Sequence, residues 1–249
     1  MDLLELSKNA VIKALNKLVD LDKQKTKSYI FSKEISREVK ADADISIEKI
    51  LIDSLSISGL SILSEEKGLT PAKSNSKLRF IIDPIDGTVN FLRGIPSCSV
   101  SVALFENNQP VFGVLGSFPS LKLTWGGKEI GSFTENLPIR VSHINDINKG
   151  VLCTGFPSRF EFNSRTVEEQ LNLMQSFNKI RMLGSASQSL LLVARGSAEA
   201  YIENNIMIWD VAAGIAIVEG AGGAFKIYNT DFNKPLNVIA TNNLIETKI

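Results

Sequence analysis

A short segment in the first half of the chain places two carboxylates directly after a buried strand. Residues 80–82 form an apolar run whose β-branched isoleucines favour a strand end. Asp83 and Asp86 follow at once, within a turn marked by Pro84 and Gly87. Two buried carboxylates side by side are costly in free energy unless a cation lies between them, and hard divalent cations such as Mg²⁺ bind oxygen clusters of this kind. The segment therefore predicts a divalent-cation site at a strand end.

The residues that follow predict a binding site for an anion. Gly87 and Thr88 lie at a predicted helix start. The first backbone N–H groups of a helix have no partner within it and favour an anion such as phosphate. A cation site beside an anion site is typical of phosphoryl chemistry.

Two known acidic motifs do not fit this segment. An EF-hand loop that began at Asp83 would need oxygen ligands where Ile85 lies and a glutamate where Gly94 lies. The Asp-x-Asp-Gly-Thr motif of haloacid-dehalogenase-type phosphatases, whose first aspartate is the nucleophile, has one residue fewer between its acids. The spacing therefore favours a metal-activated water over an attacking carboxylate.

Composition and charge argue against several other classes of function. Basic and acidic residues both total 27 among 249, so no basic excess points to nucleic acid or an anionic membrane. No apolar run approaches the roughly 20 residues that span a bilayer, and the chain begins with acids where a signal peptide carries bases, so we expect a cytoplasmic protein. His143 is the only histidine, and Cys98 and Cys153 stand apart. A histidine-based phosphatase, a zinc hydrolase or a Ser-His-Asp triad would all depend on that one histidine.

Hydrophobic periodicity predicts an α/β protein whose two halves differ in character. The first half is predicted as two helices followed by an antiparallel meander, and the second as alternating strands and helices. We expect a single domain over 1–249 with subdomains of about 1–140 and 141–249. The predicted helices are 2–21, one that starts just after Asp44, 164–177, 187–195 and 210–220. The predicted strands are 61–64, 99–104, 110–115, 151–154, 181–183 and 200–202. Residues 22–40 are predicted as a loop or short hairpin, and residues 68–77 as a solvated loop.

Several motifs, taken together and in order, resemble those of the inositol monophosphatase family of metal-dependent, lithium-sensitive phosphatases. The resemblance covers nearly the whole chain, and its two long motifs are the most specific. The matching segments are Ser-Glu-Glu at 64–66, Asp-Pro-Ile-Asp-Gly-Thr-Val-Asn-Phe at 83–91, Thr-Gly-Phe-Pro at 154–157, Gly-Ser-Ala at 184–186, Trp-Asp-Val-Ala-Ala-Gly at 209–214 and Ala-Gly-Gly at 221–223. The resemblance implies a layered αβαβα sandwich, with an antiparallel sheet in the N-terminal half and a smaller mixed sheet in the C-terminal half.

The resemblance also implies a metal and catalytic set. One Mg²⁺ would be held by Glu65, Asp83 and the carbonyl of Ile85, and a second by Asp83, Asp86 and Asp210. Glu65 would also assist a third ion. Thr88, paired with Asp44 and assisted by Glu65, would accept the proton of the attacking water. Asp42 competes with Asp44, because the usual lead-in to this acid differs here.

The substrate contacts implied by the resemblance are less specific. Gly87 and Thr88 would hold the phosphate through their N–H groups. The segment Gly184, Ser185 and Ala186 would line the pocket. Glu203 would accept hydrogen bonds from substrate hydroxyls, since it precedes Asp210 by the family's spacing; the alternative is that Glu203 merely ends a strand in solvent.

The implied substrate is a small phosphorylated metabolite, with an inositol phosphate or a similar polyol or sugar phosphate preferred. A 3′(2′),5′-bisphosphate nucleotidase is the next alternative, because residues 62–66 resemble that form, followed by fructose-1,6-bisphosphate and histidinol-phosphate phosphatases. The presence of all four acids and Thr88 argues against a non-enzymatic scaffold. A homodimer and inhibition by lithium are implied by the resemblance alone.

Overall fold

The chain folds into two β-sheets and helices that pack as alternating layers. The structure is a computed structural model and describes residues 1–23, 29–31, 39–73, 75–229 and 231–245. The helices of these residues are α1 Leu3–Asp22, α2 Asp42–Leu55, α3 Thr88–Arg93, α4 Ser164–Gln175, α5 Ala186–Ala194 and α6 Ile208–Gly220. The strands are β1 Tyr29–Phe31, β2 Val39–Ala41, β3 Ser61–Ser64, β4 Gly68–Thr70, β5 Leu78–Asp86, β6 Cys98–Glu106, β7 Gln109–Phe118, β8 Leu123–Gly127, β9 Gly131–Thr134, β10 Leu137–Pro138, β11 Val151–Cys153, β12 Lys179–Arg181, β13 Ala200–Ile206, β14 Ala224–Tyr228 and β15 Leu236–Thr241.

The larger sheet has the strand order β10-β9-β8-β7-β6-β5-β3-β4. All its neighbouring strands are antiparallel except β3 and β5, which run parallel with Ser64 opposite Ile82. The predicted antiparallel sheet is therefore corrected at this one pair. The parallel pair matters for the site, because strands that run the same way end at the same edge, and the residues that follow Ser64 and Ile82 are acids.

The smaller sheet has the strand order β12-β11-β13-β15-β14 and is mixed, as predicted. Strand β11 is parallel to both of its neighbours, whereas β15 is antiparallel to both of its own. The parallel pairs bring the starts of helices and the ends of strands in the second half toward one side of the sheet.

Three apolar clusters build the layers. Helices α1 and α2 pack on one face of the larger sheet, where Phe80 and Ile82 point toward them. Ile81 points the other way, into a second cluster that contains α5 and α6 and reaches the smaller sheet. A third cluster, with Leu152, lies between the other face of that sheet and α4. The order helix, sheet, helix, sheet, helix confirms the predicted αβαβα sandwich.

Helix α6 lies in the middle of the molecule, and glycines let backbones approach it closely. A Cβ on Gly113 of β7 would lie 2.2 Å from the carbonyl oxygen of Ala213. A Cβ on Gly214 would lie 2.4 Å from the side chain of Leu190 in α5. Such distances exclude any side chain, so the helix is fixed against both of its neighbours.

Several element boundaries differ from the sequence predictions. Helix α2 starts at Asp42, so Asp44 lies inside its first turn rather than ahead of it. Residues 68–70, predicted as part of a loop, form β4 because they pair with β3 at the edge of the sheet. The strand predicted at 181–183 lies at 179–181. Strands β1 and β2 pair antiparallel, in agreement with the predicted hairpin, but residues 24–28 and 32–38 of that segment lie outside the described residues.

In the part of the chain that the structure describes, no helix combines the length and the apolar character needed to cross a membrane.

Candidate metal-dependent active site

A cavity of about 380 Å³ opens where β3 and β5 end and where α3, α5 and α6 begin. The starts of these helices point their backbone N–H groups and the positive ends of their dipoles toward it, which favours negative charge. Every residue that the sequence predicted for the site lines this cavity except Asp44, which lies behind Thr88. The lining residues from the predicted set are Glu65, Asp83, Ile85, Asp86, Gly87, Thr88, Gly184, Ser185, Ala186, Glu203 and Asp210.

Three aspartates form the centre of the site. One carboxylate oxygen from each of Asp83, Asp86 and Asp210 lies within 4.8 Å of the others. Asp83 comes from β5, on the same face as Ile81 because strand side chains alternate, and therefore points toward α6. A register shift between Asp83 and Asp86 then turns Asp86 toward the same point.

Asp83 carries the clearest sign that a cation belongs here. Its side chain is fully buried, and its Oδ1 accepts a hydrogen bond from the N–H of Ile85 at 3.0 Å. Its Oδ2 accepts no hydrogen bond from the described residues, although it is buried. Burial raises the pKa of Asp83 well above its ordinary value, and the charges of Glu65, Asp210 and Asp86 raise that pKa further. Oxygen ligands of this kind, poor in hydrogen-bond donors and rich in negative charge, fit a hard divalent cation.

Asp86 is held by the start of α5. Its carboxylate accepts hydrogen bonds from the Ser185 hydroxyl at 2.5 Å, the Ala186 N–H at 3.2 Å, and both the N–H and the hydroxyl of Ser187. Burial raises the pKa of Asp86, while the hydrogen bonds from Ser185 and Ser187 act in the opposite direction. These donors connect a residue from the first half of the chain to a helix of the second half.

Asp210 serves two roles at once. It is the third residue of α6, and its Oδ2 accepts the N–H of Met207, the residue before the helix, at 3.0 Å. This is the capping contact expected of an acid at a helix start. The same carboxylate belongs to the aspartate group, and burial, followed by the charge of Asp86, raises its pKa to about 7.

Glu65 lines the cavity but lies outside the 4.8 Å group of the three aspartates. It is delivered by the parallel pair of β3 and β5 and occupies the turn between β3 and β4. The buried carboxylate of Glu48 in α2 holds that turn. Its Oε1 accepts the Ser64 hydroxyl, the Glu66 N–H at 3.2 Å and the Lys67 N–H at 2.9 Å.

Thr88 lies between Asp44 and the loop that carries the aspartates. Its hydroxyl oxygen is 3.1 Å from Asp44 Oδ1 and 3.0 Å from the carbonyl oxygen of Ile85. Asp44 is buried, and its other oxygen accepts the N–H of Ala41 at 2.9 Å, whereas Asp42 is exposed. Burial raises the pKa of Asp44 to about 7, and the charge of Glu66 contributes to the rise.

The backbone at position 87 leaves no room for a side chain, so the residue must be glycine. Its φ is +89°, and a Cβ would lie 3.0 Å from the Ser97 carbonyl oxygen and 3.2 Å from that of Gly184. The side chain of Asn90 secures the same junction: its amide donates to Ser97 O at 2.6 Å and to Leu183 O at 2.8 Å. The N–H groups at the start of α3 and the loop before α5 are therefore fixed relative to each other.

Glu203 closes the far side of the cavity and is not an exposed strand end. Its side chain is 8% exposed and accepts a hydrogen bond from the Tyr201 hydroxyl at 3.0 Å. A Cβ on Gly155 would lie 3.0 Å from its carboxylate, so the Gly-Phe-Pro segment packs directly on it. Burial raises the pKa of Glu203 to about 8, and the charges of Asp210 and Asp86 add to this rise.

Comparison with known proteins identifies the family. The family model described as "Inositol monophosphatase family" matches residues 3–248. The chain belongs to the inositol monophosphatase family. The members of this family are phosphatases, and the chain is a phosphoric monoester hydrolase of this kind.

Several relatives in this family are about one third identical to the chain over the aligned residues. A "Nus factor SuhB" from Xylella fastidiosa is 34% identical over 218 residues, which cover 86% of this chain and 75% of that protein. "Inositol monophosphatase 1" from Bos taurus is 33% identical over 233 residues, which cover 88% of this chain and 82% of the relative. The crystal structure of the suhB protein from Bartonella henselae is similar with a TM-score of 0.87 and 32% identity, and covers 97% of this chain and 94% of that one.

Four further residues of this family member contribute to the site and were not predicted from the sequence. Glu48 and Ser187 hold Glu65 and Asp86 in place, Asn90 secures the start of α3, and Arg159 brings a cation to the cavity wall. Glu48 and Ser187 act through contacts with residues distant in sequence, so no local pattern marks them. For Asn90 alone a signal existed, because it lies within the Asp-Pro-Ile-Asp-Gly-Thr-Val-Asn-Phe motif.

Proposed function

We propose that this phosphatase is Mg²⁺-dependent and hydrolyses a small phosphorylated metabolite, with an inositol monophosphate or a similar polyol or sugar phosphate as the preferred class. The observation that carries the proposal is the convergence of Asp83, Asp86 and Asp210 around a buried carboxylate oxygen that accepts no hydrogen bond from the described residues. The family's phosphatase activity and the N–H groups at the start of α3 support it.

Two or three Mg²⁺ ions would be held by Glu65, Asp83, the Ile85 carbonyl, Asp86 and Asp210. When bound, the metal supplies an activated water and neutralises charge on the phosphoryl oxygens. The residues of the chain complete the reaction. The Thr88 hydroxyl accepts the proton of the attacking water as it passes its own proton to Asp44 Oδ1, 3.1 Å away. An acid whose pKa lies at about 7 is suited to that role near neutral pH.

The substrate is held by groups around the metal site. The N–H groups of Gly87 and Thr88 bind phosphate oxygens and spread the charge of the transition state. Glu65 assists Thr88 as the water is deprotonated. Ser185 and Ala186, together with Gly184, form the wall next to the leaving group, and Glu203 accepts hydrogen bonds from its hydroxyls.

The choice of a polyol phosphate depends on Glu203. A buried carboxylate at the cavity wall favours a leaving group that brings hydroxyl donors and disfavours a second phosphate beside it. A bisphosphate is the alternative, as a 3′(2′),5′-bisphosphate nucleotide or as fructose 1,6-bisphosphate, followed by histidinol phosphate. A relative from Aquifex aeolicus that is 31% identical carries the name "Fructose-1,6-bisphosphatase/inositol-1-monophosphatase", and Arg159 at the cavity wall suits such a substrate.

The proposal extends to the setting in which the enzyme works. The chain acts in the cytoplasm as a homodimer. Each copy is a single domain with subdomains of about 1–140 and 141–249. Lithium inhibits the enzyme by replacing a Mg²⁺ ion, which has a similar size and a higher charge. Although a relative is named a Nus factor, the balance of 27 basic and 27 acidic residues offers no basic excess for nucleic acid, so we place neither nucleic acid nor a membrane among its partners.

A panel of phosphomonoesters tests this function by the release of inorganic phosphate. The panel is myo-inositol 1-phosphate, adenosine 3′,5′-bisphosphate, fructose 1,6-bisphosphate and histidinol phosphate, each with Mg²⁺ and with a chelator. We expect Mg²⁺-dependent release with the highest kcat/KM for the inositol phosphate. A higher value for a bisphosphate would assign the alternative, and release that is insensitive to the chelator would overturn the metal-dependent mechanism.

A further inference from the structure

The two oxygens of Asp86 have very different surroundings. Oδ2 accepts three hydrogen bonds, from the Ser185 hydroxyl at 2.5 Å, the Ser187 N–H at 2.8 Å and the Ser187 hydroxyl. Oδ1 accepts one, from the Ala186 N–H at 3.2 Å. A carboxylate oxygen offers about two lone-pair positions, so Oδ2 is saturated and Oδ1 retains the capacity to bind a cation.

Ser187 links this carboxylate to the first half of the chain. Its hydroxyl also contacts the hydroxyl of Ser99, which lies opposite Asp86 in the pairing of β6 with β5. Both serines are fully buried. A serine hydroxyl has one proton to donate, and Ser187 gives it to Asp86. Ser99 must therefore donate to Ser187, which sets the direction of the chain from Ser99 through Ser187 to Asp86.

We propose that Ser187, oriented by Ser99, is a positioning residue whose hydroxyl anchors Asp86 Oδ2 and so directs Oδ1 toward the metal. This inference rests on the proposed Mg²⁺ site. Ser187 is the second residue of α5, and Asp86 is also contacted by Ala186, the first residue of that helix, and by Ser185 just before it. Without the Ser187 hydroxyl, Oδ2 keeps two donors but loses the one that Ser99 of β6 holds in place, so the carboxylate is fixed less firmly in the orientation that leaves Oδ1 for the cation.

The affinity for Mg²⁺, measured by isothermal titration calorimetry on the metal-free enzyme, tests the proposal. We expect Ser187→Ala to weaken Mg²⁺ binding about tenfold, the range seen when a contact that orients a metal ligand is lost. Ser99→Ala should weaken it in the same direction and by less, because the Ser187 hydroxyl remains but loses its own donor.

Ser132→Ala is the matched control. Ser132 is buried and donates to the Ile217 carbonyl at 2.6 Å, and it does not line the cavity. This variant removes the same hydroxyl from a buried site, so it should lower the melting temperature of the metal-free protein without changing the dissociation constant for Mg²⁺. If Ser187 had only a structural role, Ser187→Ala would likewise lower the melting temperature and leave the dissociation constant for Mg²⁺ unchanged.

The outcomes separate this inference from the function on which it rests. If the unmodified enzyme binds no Mg²⁺, the proposed function fails. If it binds Mg²⁺ and Ser187→Ala binds equally well, the positioning role is overturned while the metal site stands. Should Ser187→Ala fail to fold, Ser99→Ala decides: weaker binding than in Ser132→Ala supports the role, and equal binding overturns it.

Discussion

Asp83, Asp86 and Asp210 present an electrostatic conflict that the protein alone does not relieve. All three have raised pKa values, chiefly because they are buried, and their charges act on one another. In the neighbourhood that the structure describes, the hydrogen bonds to Asp86 and Asp210 relieve only part of this cost, and Asp83 Oδ2 has none. A divalent cation would satisfy all three carboxylates together.

Replacing Asp86 tests that conclusion directly. Asp86→Asn keeps the shape of the side chain and removes one charge from the cation site. We expect kcat/KM to fall more than about 100-fold, since even the loss of a contact that orients a metal ligand typically costs 10–100-fold. Phosphate release over a range of Mg²⁺ concentrations measures the effect, with the exposed Asp53→Asn as the control. Activity close to the unmodified enzyme at low Mg²⁺ would contradict the assignment of Asp86 as a ligand.

Glu203 permits a separate test of substrate class. At pH 9, above the Glu203 pKa of about 8, Glu203→Gln should reduce kcat/KM for a polyol phosphate relative to p-nitrophenyl phosphate by roughly 1.5–3 kcal/mol in transition-state free energy, the range for a hydrogen bond to a charged group. Mg²⁺ activation should change little, because Glu203 is not a proposed ligand. Exposed Glu106→Gln is the control. An unchanged ratio between the two substrates would leave the polyol assignment without its main residue.

At the scale of elements, the turn between β3 and β4 depends on a helix from another layer. Glu48 of α2 accepts three hydrogen bonds from residues 64, 66 and 67 and thereby frames Glu65 on both sides. The turn is short and lies near the edge of the larger sheet, because β4 is the edge strand. The position of Glu65 is therefore set by α2 as much as by the strand that delivers it.

Glu48→Ala should affect both stability and metal use. It leaves three donors without their acceptor, so we expect the free energy of unfolding to fall by about 1–3 kcal/mol and the Mg²⁺ concentration for half-maximal activity to rise. Denaturant unfolding and Mg²⁺ titration of phosphate release measure the two effects. Asp53→Ala, an exposed acid in the same helix, is the control. A loss of stability with unchanged Mg²⁺ activation would mean that Glu48 supports the fold and not Glu65.

The elements that sequence predicted well are those with a strong local pattern. Strand β3 at Ser61–Ser64 and the helices near 187–195 and 210–220 follow directly from apolar periodicity. Strand β4, at Gly68–Thr70, has no such pattern. Its three residues become a strand because β3 offers an unpaired edge, which is a property of the fold and not of the segment.

The same distinction applies to the site. The acids at 65, 83, 86 and 210 could be proposed because each lies in a recognisable motif, and all four line one cavity. Ser187 and Glu48 could not, since a buried hydroxyl at a helix start and an acid on a helix face are common in any sequence. Their roles depend on partners 101 and 16 to 19 residues away, which only the packing of the layers brings into contact.

For the whole molecule, the buried acids couple stability to pH when metal is absent. The pKa values of Asp44 and Asp210 are raised to about 7 and that of Glu203 to about 8, all above those of the unfolded chain. The folded state therefore holds more protons than the unfolded state between about pH 4 and pH 8. Such groups stabilise the fold fully below their unfolded pKa, and this contribution is lost as pH rises through the folded pKa.

We expect the metal-free protein to be less stable at pH 8 than at pH 5.5, by at least about 1.4 kcal/mol, the equivalent of one pKa unit at one carboxyl. Urea unfolding in a chelator measures the difference. Saturating Mg²⁺ should restore stability at pH 8, since it binds the folded state. Glu203→Gln, which removes one titrating group, should flatten the pH dependence. A metal-free protein that gained stability toward pH 8 would contradict the raised pKa values.

Helix α6 packs between the two sheets, and its position determines how the molecule unfolds. The helix is apolar on nearly all sides, packs against strands of both sheets and starts at Asp210's cavity. No local fluctuation can expose its backbone without separating the two sheets. Its amide protons should therefore exchange with deuterium only when the entire chain unfolds, far more slowly than those of α4 on the outer layer. Asp210, one of the proposed metal ligands, thus belongs to the last part of the protein to unfold.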